Sequence, residues 1–240
     1  MAKIYCIANQ KGGVGKTTTA VNLAAALSQL SFNVLLVDLD PQGNATTGSG
    51  LEKNNLVQSV YEVLLDRADI KKVITHSTSG YDILGSNRKL AAAEEELLSA
   101  ARKELRLKTK LDEVSGQYDV IIIDCPPTLS ILTINAFCAA DGLIIPMTCE
   151  YYSLEGVSDL LLSIRAVREQ VNSGLVITGL LRVKFDPRIT LQREVSEQLS
   201  GYFGSSVFSS VIPKFGLYCF YIFLHPIADL LFTMGGNHIE

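Results

Sequence analysis

The 240-residue sequence is poor in the side chains on which much enzyme chemistry depends. Histidine occurs only as His76, His225 and His238, and none of them is next to a candidate nucleophile. Histidine-based acid–base catalysis is therefore not expected. The five cysteines are scattered, and no two have C-x-x-C spacing. This pattern argues against a zinc site or a disulfide framework and favours buried, reduced thiols in a cytosolic protein.

The net charge is also small, because the chain has 21 Lys and Arg residues and 25 Asp and Glu residues, which gives a formal charge of −4. A basic field over the whole chain is excluded, so any binding of nucleic acid needs a local patch. Apolar residues make up 48% of the chain, enough for a large core in one α/β domain. No signal-peptide pattern precedes the first predicted strand, and we expect a cytoplasmic protein.

The most informative stretch is residues 8–19, ANQKGGVGKTTT, between a predicted strand at 4–8 and a predicted helix that begins near Lys16. Strand, glycine-rich turn and helix form the context of a phosphate-binding loop. Successive amides of such a loop can surround an anion, and the N-terminus of the helix adds positive potential. The candidate phosphate contacts are Lys11, Gly12, Gly13, Val14, Gly15, Lys16, Thr17 and Thr18.

Carboxylates follow two further apolar runs. Asp38 and Asp40 come after residues 33–37, and Asp124 ends the run 118–124. The carboxyl ends of parallel strands are the edge at which open α/β sheets bind ligands. Asp124 is thus predicted to hold Mg²⁺ opposite Thr17. For Asp38 and Asp40 the residues leave two interpretations: a functional pair, or a turn whose carboxylates only cap amides.

The segments KGGVGKTT (11–18), DLDPQGN (38–44) and DCPPTLSILTINAF (124–137) together resemble the deviant Walker A group of P-loop ATPases, the ParA/MinD group. Gln10 stands where the usual P-loop pattern has its first glycine, and the extra Lys11 lies inside the loop. SNRKLAAAEEEL (86–97) and CEYYSLEGV (149–157) resemble ParA proteins in particular. The similarity runs from residue 3 to about residue 214.

This resemblance implies a Mg²⁺-dependent ATPase with weak intrinsic turnover, in which two ATP-bound protomers form a sandwich homodimer. Lys16 would act on the phosphates in cis and Lys11 on the partner's phosphates in trans. Asp40 would orient the attacking water, and Asp38 would support either the magnesium shell or the switch loop. Pro213 becomes a candidate adenine contact.

ParA resemblance further implies nonspecific DNA binding, stimulation by a ParB-type centromere-binding partner, and a cytoplasmic, nucleoid-associated role in segregating chromosome or plasmid DNA. Arg188 matches the family's DNA-contacting arginine, and Lys184 and Arg193 are grouped with it. A surface turn with a salt bridge is the alternative for Arg188. Two other functions stay open: a membrane-cycling positioning ATPase of the MinD kind, and a nucleotide-binding regulator without turnover.

The predicted fold class is α/β: a P-loop NTPase with a mostly parallel twisted sheet and helices on both faces. Residues 90–107 are predicted to form one helix. Residues 1–214 form the predicted ATPase domain, and 215–240 an atypical C-terminal tail, attributed to a frameshift or similar replacement. A divergent but packed final helix is the alternative. No Lys or Arg follows Lys214, unlike the basic membrane helix of MinD proteins, so no membrane partner is expected.

Overall fold

The computed structural model describes residues 1–150 and 155–214. The predicted tail, 215–240, lies outside the described residues, as do positions 151–154 of the ParA-like segment. The described part contains one eight-stranded sheet flanked by helices. Its strands are β1 (Lys3–Ile7), β2 (Val34–Asp38), β3 (Thr75–His76), β4 (Asp82–Leu84), β5 (Val120–Asp124), β6 (Gly142–Thr148), β7 (Val176–Phe185) and β8 (Val207–Pro213).

The strand order is β3-β4-β2-β5-β1-β6-β7-β8, and every described pairing is parallel except β3 with β4. Strands β2, β5 and β6 are buried at every position, as expected for apolar strands covered on both faces. Alternate residues of β1 enter two separate cores: Ile4 and Cys6 one, Tyr5 and Ile7 the other. The predicted fold class is confirmed.

Helices cover both faces of this sheet. They are α1 (Lys16–Gln29), α2 (Asn44–Gly48), α3 (Val60–Leu64), α4 (Ile70–Val73), α5 (Leu90–Leu98), α6 (Arg106–Asp112), α7 (Ile131–Ala139), α8 (Glu155–Gln170) and α9 (Thr190–Phe203). Local sequence explains where some of these helices begin. Ser59, for example, forms a capping box with Glu62 at the N-terminus of α3. None of the described helices has the length and apolarity needed to cross a membrane.

One element differs from its prediction: residues 90–107 do not form a single helix. Helix α5 ends at Leu98, and Arg102 has a left-handed backbone, with φ of 49°. The buried Asn135 of α7 accounts for the break, because its side chain donates to Lys103 O at 2.8 Å and accepts from Leu107 N at 3.0 Å. These contacts satisfy backbone groups that a continuous helix would have paired internally. Tertiary contact therefore overrides helix propensity there.

Candidate functional site

The loop between β1 and α1 lies at the carboxyl edge of the sheet. Gly13 and Gly15 have φ of 74° and 80°, a left-handed conformation that favours glycine. Asn9 fixes the start of the loop: its side-chain amide donates to Pro146 O at 2.8 Å, and its oxygen accepts from Lys11 N at 3.0 Å. Asn9 was not among the predicted site residues, and Pro146, which its side-chain amide contacts, is 137 residues away. The loop is thus anchored to β6 as well as to β1.

Of the remaining predicted phosphate contacts, Gly12 and Val14 lie in the loop, and Thr17 and Thr18 lie in the helix that follows it. Val14 is buried, whereas no atom of the described residues lies within 4 Å of a Cβ built on Gly12. Thr17 and Thr18 lie in the first turn of α1, and Thr18 O accepts a 2.8 Å hydrogen bond from Asn22. The first amides of an α-helix have no acceptor within the helix, so the first turn of α1 can contribute to an anion site beside the loop.

Lys16 is the buried cation of the loop, with a relative exposure of 7%. Its ammonium group donates to Lys11 O at 3.3 Å. Burial lowers the pKa of Lys16, and the nearby negative charge of Asp124 is the largest influence in the opposite direction. An anion beside this ammonium group would be stabilised by a charge that little solvent screens.

Asp124 ends β5 and lies beside Asp38 in the β2–β5 register. Both of its carboxylate oxygens are buried and have no hydrogen-bond partner within residues 1–150 and 155–214. Burial, followed by the charge of Asp38, raises the pKa of Asp124 well above its ordinary value, while Thr17 and Lys16 favour the charged form. A buried carboxylate with two unused oxygens next to Thr17 fits the position of a hard cation such as Mg²⁺.

Asp38 is fully buried, and both of its oxygens are engaged. Oδ1 accepts from Asp40 N at 3.1 Å, and Oδ2 accepts from Thr46 N at 2.8 Å and from the Thr46 hydroxyl at 2.7 Å. Burial raises the pKa of Asp38 to about 6, and the hydrogen bonds from Thr46 oppose this shift. These contacts tie Asp38 to the turn that follows β2, and its implied role toward the magnesium shell or the switch loop stays a prediction.

Asp40 lies in the turn that follows β2, at a relative exposure of 8%. Its Oδ1 accepts from Gln42 N at 2.9 Å, and its carbonyl oxygen accepts from Gly43 N and from the Ser86 hydroxyl, both at 2.8 Å. The carboxylate therefore caps an amide, and its charge is close enough to Lys16 to favour the charged form of that lysine; a functional role for Asp40 stays a prediction. The contact from Ser86 was not foreseen.

Lys11 forms an ion pair with Glu150, with 2.5 Å between Nζ and Oε2. The hydrogen bond from Lys11 is the largest cause of the lowered pKa of Glu150. Both side chains are partly exposed, at 37% and 57%. Glu150 was not among the predicted site residues, because 139 residues separate it from Lys11 and only the fold brings the two together.

The three residues grouped as a DNA contact do not share one environment. Arg188 forms a two-pronged ion pair with Asp186, at 2.9 and 2.7 Å. Arg193 makes a long 3.4 Å contact with Thr190. Lys184 instead donates a 2.7 Å hydrogen bond to Gly13 O in the phosphate loop.

Pro213 lies at the end of β8, beside a cavity of about 210 Å³. The residues that line this cavity are Phe185, Asp186, Pro187, Arg188, Pro213 and Lys214. The structure therefore brings the predicted adenine contact next to the segment that carries Arg188.

A parallel α/β sheet with a glycine-rich loop after its first strand, a buried loop lysine and an aspartate at the end of a neighbouring strand defines a P-loop nucleoside triphosphatase. Residues 2–177 match the family described as AAA domain. The Bacillus subtilis sporulation initiation inhibitor protein Soj is 49% identical over 215 residues, which cover 89% of this chain and 85% of Soj. The Myxococcus xanthus chromosome partitioning protein ParA is 43% identical, with coverage of 89% and 76%.

Among solved structures, the Mycobacterium smegmatis protein named cobyrinic acid a,c-diamide synthase, crystallised with ADP and magnesium, matches with a TM-score of 0.93 at 36% identity, covering 99% of this chain and 97% of that one. A second structure of that protein holds an ATP analogue and magnesium. The chain belongs to the ParA/Soj family of partition ATPases, within the deviant Walker A group of P-loop proteins.

Proposed function

We propose that this partition ATPase binds ATP with Mg²⁺, forms a sandwich homodimer in that state, and then binds DNA without sequence preference. Hydrolysis is slow until a ParB-type centromere-binding partner stimulates it. One observation carries the proposal: the phosphate loop, the buried Lys16 and the Asp124 oxygens, which have no hydrogen-bond partner among the described residues, meet at one edge of the sheet. The partition relatives and the nucleotide-bound structural neighbours support it.

The residues have separate tasks in this mechanism. The loop amides and Lys16 hold the β- and γ-phosphates and offset their charge. Thr17 and Asp124 would hold Mg²⁺, which supplies further positive charge to the phosphates when bound. Asp40 orients a water molecule toward the γ-phosphate. Catalysis of this kind depends on positioning and electrostatics and needs no covalent intermediate.

Lys11 acts across the dimer and must therefore leave Glu150. A partly exposed ion pair of this kind contributes only about 0–1 kcal/mol. The triphosphate of the partner protomer carries more charge than a single carboxylate and can displace Glu150. The ion pair with Glu150 thus describes the resting position of Lys11 before dimerisation.

DNA binding is assigned to Arg188. Its side chain is 81% exposed, and within the described part of the chain it forms an ion pair with Asp186 of the same turn. A DNA phosphate can replace that carboxylate, since an arginine fork fits both groups. In this proposal residues 1–214 form the ATPase domain, Pro213 contacts the adenine, and ATP-bound dimers are retained on the nucleoid.

Nucleotide uptake and turnover test the enzymatic part. Calorimetry should detect ATP binding in Mg²⁺, and ATPase activity should be low, lost with EDTA, and raised by DNA together with the partner. Lys16→Ala should abolish uptake, whereas Asp40→Ala should keep ATP and accumulate the dimer. Lys72→Ala, on α4, is the matched control, because it removes an exposed lysine from another part of the chain.

Several outcomes would contradict this part. No ATP uptake by the wild type ends the proposal, and normal turnover in Asp40→Ala removes the assignment of Asp40. ATP uptake without turnover under any condition indicates a nucleotide-binding regulator. ATP-dependent co-sedimentation with liposomes indicates a membrane-cycling ATPase.

The assignment of DNA binding to Arg188 is tested by comparing two charge-reversal variants. Arg188→Glu should weaken retention on DNA at low salt and leave the DNA-independent ATPase rate near that of the wild type. Arg165→Glu is the matched control, since Arg165 is also exposed and paired with a carboxylate, Glu169, but lies on α8. Equal DNA retention in both variants would refute the role of Arg188.

A further inference from the structure

Lys184 lies at an irregular point of β7. The pairing of β7 with β8 changes register between Val183 and Phe185. Lys184 itself has φ of 54°, in the left-handed region that lysine rarely adopts. Bulges often redirect a side chain beside a functional site, and strained backbone persists where surrounding contacts hold it.

The irregular backbone places the side chain of Lys184 on the phosphate loop. Its ammonium group donates to Gly13 O at 2.7 Å. The neighbouring Val183 also lies near the loop, since a Cβ built on Gly15 would lie 3.9 Å from Val183 Cγ2. The carboxyl end of β7 therefore contacts the loop through Lys184 and approaches it at Val183.

Lys184 is also close enough to the ion pair of Lys11 with Glu150 to act on it. Lys11 is the main cause of the lowered pKa of Glu150, and the charge of Lys184 adds to the same effect. The loop is thus surrounded by three ammonium groups, those of Lys11, Lys16 and Lys184. Arg188 and Arg193, by contrast, contact residues of their own segment.

We infer that Lys184 is a residue of the nucleotide site: it braces the phosphate loop through the Gly13 carbonyl and adds a third positive charge beside the bound triphosphate. It does not belong to the DNA-contacting surface with which the sequence grouped it. This inference rests on the proposed ATP-binding function and deepens it. The braced carbonyl keeps the loop in one conformation, which favours anion binding by pre-organisation.

ATP affinity is the first measurement. Lys184→Met removes the charge at similar length, and Lys184→Gly removes the side chain while tolerating the left-handed backbone, so that at least one variant without the ammonium group should fold. Calorimetry with Mg²⁺ should show ATP binding weakened about three- to tenfold in both variants, and less than about twofold in Lys184→Arg. The matched control Lys72→Met should bind ATP like the wild type.

The salt dependence of DNA binding at saturating ATP is the second measurement. Lys184→Met should keep the wild-type slope of log affinity against log salt concentration. Arg188→Ala should reduce the magnitude of that slope by about one, which corresponds to the loss of one phosphate contact. Unchanged ATP affinity in both Met and Gly variants, or a reduced slope in Lys184→Met, would overturn the inference. If the wild type takes up no ATP, the proposed function fails first, and the inference fails with it.

Discussion

The Thr46 hydroxyl donates to Asp38 Oδ2 at 2.7 Å and accepts from Ser86 N at 2.8 Å. Ser86 in turn donates through its own hydroxyl to Asp40 O at 2.8 Å. The Thr46 hydroxyl therefore connects Asp38, at the end of β2, with Ser86, in the segment after β4. The hydroxyl of Ser86 then connects that segment to the backbone of Asp40. The position of the proposed water-orienting carboxylate depends on this network.

Thr46→Val should test the network, because valine has the shape of threonine without the hydroxyl. Loss of a buried hydrogen-bonded hydroxyl costs roughly 1–3 kcal/mol. We expect kcat for stimulated ATP hydrolysis to fall about tenfold or more, with KM for ATP changed less than about threefold. Steady-state ATPase kinetics measure both constants. Thr46→Ser, which keeps the oxygen, should recover most of kcat, and an equal loss in Val and Ser variants would refute the network.

The pH dependence of stability should report Asp38. Its pKa is about 6 in the folded protein against an ordinary value of 3.8, so the folded state favours the protonated carboxyl. This contribution to stability is fully present below pH 3.8 and is lost as the pH rises through about 6. The free energy of unfolding, measured with urea across this range, should therefore fall more steeply with pH in the wild type than in Asp38→Asn.

A constant offset between these two proteins is expected from altered hydrogen bonds to Thr46, and only the slope bears on the prediction. Asp124 has a pKa shifted in the same direction and should leave a residual slope in the variant. Parallel curves for the wild type and Asp38→Asn would contradict a protonated Asp38 in the folded state.

Asp124→Asn should stabilise the nucleotide-free protein while damaging its site. The wild-type carboxylate is buried without a hydrogen-bond partner in the described part of the chain, which disfavours its charge. A gain of about 1 kcal/mol raises Tm by roughly 2–4 °C in a protein of this size. Calorimetric melting should show this rise without ligand and little further rise with ATP and Mg²⁺. Asp112→Asn, on α6, is the control; a lower Tm in nucleotide-free Asp124→Asn would contradict the prediction.

Gly43→Ala should disturb the turn that carries Asp40. Gly43 has φ of 60°, and an added Cβ would lie 2.7 Å from Ser86 O. The strained backbone and the clash together should cost about 1–3 kcal/mol and reduce turnover. Thermal unfolding and ATPase assays measure the two effects. Gly116→Ala, where no atom of residues 1–150 and 155–214 lies within 4 Å of the added atom, should be close to the wild type in both.

The parts of the site that sequence reasoning could reach are those whose residues are neighbours along the chain. Glycines and lysines in residues 8–19 predicted the phosphate loop. The apolar run that ends in Asp124 predicted the position of Asp124 at the edge of the sheet. The contacts of Asn9 with Pro146 and of Lys11 with Glu150 could not be found that way, because each joins residues 137 or 139 positions apart.

Pairing between distant segments decides two further features that the sequence alone does not show. The helix predicted for 90–107 is broken by contacts from Asn135, and a helix-favouring composition contains no information about that partner. The position of Lys184 is the second case, since the sequence grouped this residue with Arg188 as a candidate DNA contact. The change of register beside Lys184 is a property of how β7 pairs with β8, and it directs the side chain to Gly13.

The position of β1 between β5 and β6 has a consequence for biosynthesis. Lys3 pairs with Val120, and Tyr5 pairs with Gly142. During synthesis β1 therefore stays unpaired until β5 and β6, encoded more than a hundred codons later, have been made. At usual translation rates this delay is on the order of 10 s. A chain interrupted before those codons would carry an intact glycine-rich loop on an unpaired strand. Such fragments should be unable to retain nucleotide, and their exposed apolar strand should make them substrates for chaperones and proteases.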